Sequence, residues 1–449
     1  MGFFTTELRK IQIVVFDRLM RSSKNPDQAR LLSDASRQIP KDRRVVIVDS
    51  DLAYGNARAL AIDLHKILSE SELLFLAYDQ KGLAWAKAQG IPAAVFTTKS
   101  EADSAQLWDQ LIRAKVSVYD SHNWWRTSDQ LHQRSLLEGS HKIQLWHGAT
   151  GPVGKVFGIE RLNTAKTFWH FTAVATSSVG FDELVNEPSQ AEYRRTRSII
   201  SKKSIHDVEF RLVETLKSGA ISRPDQIKIL VAPTYSESSA GEDALINWIA
   251  EVAKIAKTNG WRIDIALHPG AKPRVAKLVK RKTGYLPLVT GVETSNLHNY
   301  SVVVTDFSGI AHDCLLLKIP TVSVLLDLEN YQALCPILVD ADQMAASYVV
   351  RSLSELAEQI SQALKSDPLS NVRTTYANSA LSQIGAEPGV NTKDAVLAAL
   401  DLKSYKFLGK RKVAVSLTQL EINIPRTFLI IDLFSSTRFL PRINFFNSV

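Results

Sequence analysis

Residues 301–327 read SVVVTDFSGIAHDCLLLKIPTVSVLLD. An apolar, β-branched run ends at Thr305-Asp306, and a helix-like stretch, IAHDCLLLK (310–318), leads to a second apolar run at 321–327. Strands that are buried on both faces appear as continuous runs of Val, Ile and Leu. A strand, a helix and a strand in this order predict a parallel pair with a right-handed crossover.

The same alternation extends along the chain in both directions. Amphipathic stretches such as 57–68 and 104–114 separate the β-rich runs, and polar residues interrupt the series at 186–226. The pattern therefore predicts an α/β protein with two doubly wound, Rossmann-like domains that face each other across a cleft. The further β-rich runs are 44–50, 73–78, 92–97, 114–121, 142–148, 172–177, 227–234, 262–270 and 286–291.

The pattern and the composition predict four segments in the chain. An amphipathic, basic lead-in (1–43) precedes the first Rossmann-like domain (44–200) and the second (201–401). A basic extension rich in aromatic and β-branched residues (402–449) follows. An extra hairpin, a membrane-contacting appendage and a poorly ordered tail are all consistent with the composition of that extension.

The net charge of +8 is unevenly distributed along the 449 residues. Residues 1–23 carry four basic and two acidic side chains, and residues 402–449 carry eight basic and two acidic ones. The body between them is neutral, with 42 of each kind. Nucleic-acid-binding proteins usually carry positive charge on the folded body, so we expect no nucleic-acid partner. Basic ends favour an anionic membrane surface.

Composition and motifs also argue against several other classes. Two cysteines, Cys314 and Cys335, are too few for a disulfide scaffold or a tight zinc site. No apolar run approaches the ~20 residues that span a bilayer, and residues 1–23 lack the pattern of a signal peptide. No P-loop, GxSxG or HExxH motif occurs. We therefore expect a cytoplasmic enzyme that uses neither a metal nor a cofactor.

One histidine follows a strand in LWHGATGPVGKVFG (145–158). His147 at such a position can act as a general base near neutral pH. Gly148 lets the backbone approach a ligand closely, and Lys155 can meet a phosphate as a point charge. A histidine that completes a turn hydrogen bond explains the position equally well.

A second histidine, His268, ends a strand in ALHPGAKP (266–273), where Pro269-Gly270 forces a turn. Lys272 and Arg274 add positive charge directly after it. Taken alone, this pattern slightly favours a hydrogen-bonded histidine in a turn.

The residues after Thr305 form a candidate anion site, because free N–H groups and the helix dipole favour phosphate at a helix start. We predict Ser308 as the N-cap and Gly309 as the residue that leaves the amides accessible. Asp306 would repel a phosphate, so we expect it to accept from a hydroxyl or from loop amides. His312 shares a helix face with Ser308 and either faces the ligand or packs inside.

Two weaker candidates follow neighbouring strands. Thr234, in APTYSESS (232–239), offers a hydroxyl to a phosphate or a base. Asp327 and Glu329 are placed where carboxylates can hold ribose hydroxyls, although a solvated loop is the commoner situation.

Taken together, these segments resemble the CDP-glycerol glycerophosphotransferase family, the teichoic acid primases and polymerases. Their order and spacing match the family pattern over about 45–400, and TDFSGIAHDCLLLKIP is the most specific segment. The matching segments are NARAL (56–60), WHGATGPVGKVFG (146–158), APTY (232–235), LHP (267–269), TDFSGIAHDCLLLKIP (305–320) and DLENY (327–331).

The resemblance implies a GT-B fold that presents the acceptor on the first domain and holds the nucleotide donor on the second. It implies transfer of glycerol phosphate from CDP-glycerol to a hydroxyl of a lipid-linked acceptor, with release of CMP. His147 would remove the acceptor proton, and His268 would contact the donor pyrophosphate or assist the leaving phosphate. The implied donor-binding residues are Thr234, Thr305, Asp306, Ser308, Gly309 and Glu329, and the supporting residues are Gly148, Lys155, Asn56, Arg58 and His312.

Several alternatives stay open at this stage. The donor is CDP-glycerol, CDP-ribitol or another CDP-polyol, and the product is a teichoic acid or a capsule-type polymer. A GT-B glycosyltransferase that uses a nucleotide sugar would share the fold. A catalytically inert membrane scaffold would keep the fold alone, and the two strand-end histidines argue against it. A lipid-linked acceptor places the enzyme peripherally on the inner face of the cell membrane.

Overall fold

The protein is described here from a computed structural model. The described residues are 26–50, 55–95, 101–120, 135–145, 173–176, 204–218, 226–234, 239–268, 271–288, 294–326, 328–329, 331, 346–385, 387–401, 428–431 and 443–446.

The first domain is built on a seven-stranded sheet with the order β3-β2-β1-β4-β5-β6-β7. Every neighbouring pair of strands is parallel. The chain places β2 and β3 on one side of β1 and the later strands on the other, so the order reverses between β1 and β4. The strands are β1 (Asp42–Val48), β2 (Leu73–Ala77), β3 (Ala93–Val95), β4 (Ala114–Tyr119), β5 (His141–Gln144), β6 (Ala173–Thr176) and β7 (Ser204–His206).

Helices of the first domain pack against this sheet through apolar side chains at helical spacing. In α2, the buried residues Ala57, Leu60, Ala61 and Leu64 recur at intervals of three and four and form one face. Asp79 begins α3 by accepting a hydrogen bond of 2.8 Å from the Gly82 N–H. The helices are α1 (Pro26–Gln38), α2 (Asn56–His65), α3 (Gln80–Ala88) and α4 (Glu101–Ile112).

A short segment joins the two domains. It contains a 3₁₀ turn (Phe210–Leu212) and the helix α5 (Val213–Ser218). The side chains of Phe210, Leu212 and Val213 are buried in a hydrophobic cluster that includes residues of both domains. The connection is therefore part of the core.

The second domain has a five-stranded parallel sheet with the order β12-β11-β10-β8-β9. Here the order reverses between β8 and β10. Its strands and helices are β8 (Lys228–Ala232), α6 (Ser239–Thr258), β9 (Arg262–Ile265), α7 (Pro273–Thr283), β10 (Val302–Thr305), α8 (Ile310–Leu316), β11 (Thr321–Val324), β12 (Tyr348–Val350), α9 (Leu356–Lys365) and α10 (Ser370–Ile384).

The helix α11 (Val390–Asp401) returns to the first domain, where it packs against β1, β4 and β7. Both α11 and β7 therefore associate with the first sheet, although they lie within the residues 201–401 that we assigned to the second domain. Sequence order alone does not show such a return, because α11 pairs with strands far away in the chain.

The strand expected at 286–291 is reduced to a single bridge between Leu288 and Ala266 in the described residues. The Leu286 side chain is 74% exposed, so the described part of this run, 286–288, does not form a buried strand. Conversely, the patterns did not predict β7 and β12, which are only three residues long.

In the C-terminal extension, the strands β13 (Phe428–Ile431) and β14 (Ile443–Phe446) form an antiparallel two-stranded sheet. This agrees with the hairpin alternative for 402–449. Among the described residues, no helix combines the length and the hydropathy needed to cross a membrane.

Candidate active site

The carboxyl ends of β8 and β10 meet where the strand order of the second sheet reverses. Ligands of open α/β sheets bind at such points. Thr234 donates from both its backbone N–H (2.7 Å) and its hydroxyl (2.6 Å) to the same Asp306 oxygen. Burial raises the pKa of the Asp306 carboxyl, and the hydrogen bonds from Thr234 oppose that shift. Asp306 thus joins the two strand ends. It also orders residues 306–309, the Asp306 loop, which lie between β10 and α8. Its sequence position indicated such a role.

Thr305 does not reach the surface of this site. The residue is fully buried, and its hydroxyl donates to the Ala232 carbonyl at 2.6 Å. This hydroxyl ties β10 to β8, which argues against the phosphate contact that the resemblance implied.

The start of α8 also differs from expectation. Gly309, not Ser308, occupies the N-cap position, and no side chain caps the helix. The Ser308 hydroxyl accepts only a long contact of 3.4 Å from the Ile310 N–H. Ser308 and Gly309 are partly exposed, so they remain accessible to a ligand.

His312 packs inside the second domain. Only 3% of the residue is exposed, and its ring meets Tyr376 edge-on at 5.9 Å between centroids. Of the two alternatives, the structure favours interior packing, because α8 is buried on every side.

His268 lies beside the same edge, after β9. Its carbonyl accepts from the Ala271 N–H at 2.8 Å, which closes the predicted turn. The histidine and Thr234 line one small cleft at this edge. The other lining residues are Pro233, Glu242, Leu245, Leu267, Ala271, Lys272 and Val275.

Glu242, in the first turn of α6, was missed by the sequence reasoning. Its carboxylate accepts from Lys272 at 2.7 Å and from Arg274. The hydrogen bond from Lys272 contributes most to lowering the pKa of Glu242. The two cations after His268 are therefore partly neutralised by a carboxylate whose side chain is only 4% exposed. The sequence signal that could have identified Glu242 is its position as an acidic residue in the first turn of a long helix.

The segment at 327–331 reaches the Asp306 loop through aromatic rings. Phe307 and Tyr331 stack with 3.8 Å between centroids and 10° between planes. Glu329, the candidate for the ribose, is exposed, and Asp327 lies outside the described residues.

At the first sheet, the order reverses between β1 and β4, and a buried carboxylate follows each strand. Asp49 receives two hydrogen bonds from Arg58, at 3.0 and 2.9 Å. The Arg58 guanidinium also lies 5.0 Å from the centre of the Trp85 ring. Asp120 accepts from the Ala57 N–H at 3.2 Å. Neither aspartate was predicted, because β1 and β4 are distant in the chain and become neighbours only in the folded sheet.

Burial, followed by the charge of Asp49, raises the pKa of the Asp120 carboxyl to about 7. In the unfolded chain an aspartate ionises near pH ~4. Between these values the folded state binds one more proton, so the contribution of Asp120 to stability falls as the pH rises.

Replacing Asp120 with asparagine tests whether the pKa of this carboxyl is raised in the folded protein. The free energy of unfolding of the wild type should fall relative to that of Asp120→Asn between about pH 4 and 7. Urea unfolding at a series of pH values measures the difference. A difference that stays constant over this range would show that Asp120 ionises normally.

The remaining candidates, His147, Gly148 and Lys155, lie outside the described residues. The strand that leads to them is described: Gln144 at the end of β5 pairs with Tyr119 at the end of β4. The carboxyl end of β5, which precedes His147 in the sequence, therefore lies at the same edge as Asp120. Within the described part of the chain, no three His, Cys, Asp or Glu residues are grouped as metal ligands would be.

A family model described as CDP-glycerol:poly(glycerophosphate) glycerophosphotransferase matches residues 33–383. The chain belongs to this family. It is a CDP-glycerol glycerophosphotransferase-like enzyme. The search of curated proteins found no match.

Solved structures of the wall teichoic acid polymerase TagF share the fold. One covers 89% of this chain and 96% of its own, with 14% identity and a TM-score of 0.54. A substituted TagF soaked with CDPG covers 88% and 97%, with 13% identity and a TM-score of 0.52. The likeness identifies the two Rossmann-like domains as a GT-B arrangement.

Proposed function

We propose that this enzyme transfers glycerol phosphate, or a related polyol phosphate, from a CDP-polyol to a hydroxyl of a lipid-linked acceptor. The product is a teichoic acid or capsule-type polymer, and CMP is released. The observation that carries the proposal is the convergence of His268, Thr234 and the Asp306 loop at the reversal point of the second sheet. This convergence occurs in a member of the glycerophosphotransferase family.

The reaction moves one phosphoryl group. The acceptor oxygen forms a bond to the phosphorus that carries glycerol, and the bond from this phosphorus to the bridging oxygen of CDP breaks. CMP leaves with the electron pair, and the acceptor proton passes to His147. Such transfers depend on positioning and charge neutralisation more than on covalent chemistry.

The described residues can supply that positioning on the donor side. His268 is placed to donate to the leaving phosphate from the wall of the cleft, and Lys272 lies in the same wall. The hydroxyl of Ser308, which is partly exposed just before α8, can donate to a phosphate oxygen. Asp306 keeps Thr234 and this loop together, so its role is to hold the site in shape.

A donor screen tests the proposal. The enzyme is incubated with a lipid-linked acceptor and with CDP-glycerol, CDP-ribitol or common UDP- and GDP-sugars, and the released nucleotide is identified. Release of CMP from a CDP-polyol supports the proposal. Consumption of a UDP- or GDP-sugar alone would instead identify a glycosyltransferase, and no turnover with any donor would favour the inert scaffold.

The enzyme works peripherally at the inner face of the cell membrane, held there by its basic ends. Residues 402–449 carry eight basic and two acidic side chains, whereas the body is neutral. Charge of this kind attracts a protein to anionic lipid.

Deleting residues 402–449 should weaken binding to anionic vesicles, and the effect should be larger at low salt because screening is then weaker. Cosedimentation with vesicles that contain phosphatidylglycerol measures the binding, and neutral phosphatidylcholine vesicles provide the control. Unchanged binding after the deletion would mean that the charge of the extension serves solubility only.

A further inference from the structure

We propose that Arg211, in the segment that joins the two domains, is a positioning residue that holds the carboxyl end of β5, at Leu145, at a fixed distance from the Asp306 loop. Its effect on transfer rests on the proposed function, whereas its contacts with both domains do not. Arg211 makes hydrogen bonds to residues of both domains.

On the side of the first domain, Arg211 is held through its backbone. Its N–H donates to the Asn56 side-chain oxygen at 3.0 Å, and Asn56 is fully buried. The amide nitrogen of Asn56 in turn lies 3.5 Å from the Leu145 carbonyl. Leu145 directly precedes Trp146 and His147 in the sequence. Asn56 therefore links residue 211 to the carboxyl end of β5.

On the side of the second domain, Arg211 is held through its guanidinium. One nitrogen donates to Asp313 at 2.6 Å, and another binds Glu209. The Asp313 side chain is fully buried in α8, the helix that begins directly after Ser308 and Gly309. Burial lowers the pKa of Arg211, but Asp313 and Glu209 raise it by more, so the guanidinium stays charged. This ion pair links residue 211 to α8 and thereby to the Asp306 loop that precedes it.

A second anchor in the same segment prevents it from moving freely. The Asp207 carboxylate accepts from the backbone N–H groups of Val208, Gly389 and Thr392, each at 2.8 Å. It thereby fixes the start of α11, which packs on the first sheet. With residue 207 fastened to α11 and residue 211 to α2 and α8, the joining segment determines how the two sheet edges face each other.

The test compares Arg211→Met with Arg373→Met. Arg373 is a matched control, because its guanidinium is also buried and bound to an aspartate, Asp367, but both partners lie in the second domain. Arg211→Met should lower kcat between about tenfold and a hundredfold, the scale of a small misplacement of reacting groups. The KM for the donor should stay within about threefold, since Arg211 does not line the cleft that His268 and Thr234 share.

Arg373→Met should reduce thermal stability but keep kcat near that of the wild type at temperatures where it is folded. Arg211→Lys should recover part of the lost kcat, since the charge remains. If Arg211→Met does not fold, Asp313→Asn removes the same ion pair while keeping the shape of the side chain.

A distance measurement separates this inference from the proposed function. Spin labels are placed on Ile62→Cys in α2 and Lys254→Cys in α6, which are both exposed, in a Cys335→Ser background with Cys314 buried. The wild type and Arg373→Met should give one narrow distance distribution, and Arg211→Met or Asp313→Asn a broader or shifted one. An unchanged distribution in the Arg211 and Asp313 variants would overturn the inference, whatever donor the enzyme uses.

Discussion

Replacing His268 with glutamine is expected to lower turnover at least about a hundredfold, the usual scale for losing acid–base assistance. Glutamine has a similar length and still fills the turn after β9, but it cannot carry a positive charge to the leaving phosphate. His268 lines the same cleft as Thr234 and Lys272, so the loss should appear in the donor half of the reaction.

The measurement is the initial rate of CMP release at saturating acceptor, together with the donor dissociation constant from isothermal titration. His206→Gln is the matched control: this residue ends β7 in the first domain, it is exposed, and its replacement should leave turnover unchanged. Near-normal turnover of His268→Gln would remove the residue from the mechanism.

Replacing His147 with glutamine should also lower turnover at least about a hundredfold, but through the other substrate. Without a base, the acceptor hydroxyl keeps its proton and is a poor nucleophile. Donor affinity should be unchanged in this variant, because His147 follows β5 of the first sheet in the sequence, whereas the cleft proposed for the donor lies in the second domain.

The two histidine variants are therefore distinguished by their donor dissociation constants. We expect weaker donor binding only in His268→Gln, with a circular dichroism spectrum like that of the wild type for both. A His147→Gln enzyme that turns over normally would require a different base, and the buried carboxylates Asp49 and Asp120 at the same edge would be the first to examine.

Much of the fold follows from local pattern. Runs such as 44–50 and 301–306 are continuously apolar because the sheets are covered on both faces, and the predicted runs of this kind, apart from one, contain a strand. The run at 286–291 is the exception, since apolar composition alone does not decide whether a short segment finds a buried place in a sheet.

The composition of the sites was less predictable, because it depends on which distant segments become neighbours. The expectation that His312 shares a helix face with Ser308 does not apply directly, because Ser308 precedes the N-cap Gly309; α8 is surrounded by protein, so His312 packs inside. The positive charge expected from Lys272 and Arg274 is reduced by Glu242, 30 and 32 residues away in the chain. Asp49, Asp120 and Arg211 acquire their partners only when the sheets form.

The charge of +8 has a clearer meaning in the folded protein. The donor cleft does not carry a large excess of cations, since Glu242 pairs with two of them. We therefore expect His268 and the Ser308 hydroxyl to contribute to the neutralisation of a CDP-polyol, while the excess positive charge resides in the terminal segments.

The most direct test of the account is the reaction of the full chain with CDP-glycerol and a lipid-linked acceptor, followed by mass spectrometry of the acceptor and quantification of CMP. We expect each CMP released to correspond to one glycerol phosphate added to the acceptor, and His268→Gln to lower both signals together, at least about a hundredfold. Addition of a sugar without phosphate, or release of a nucleotide other than CMP as the sole product, would contradict it.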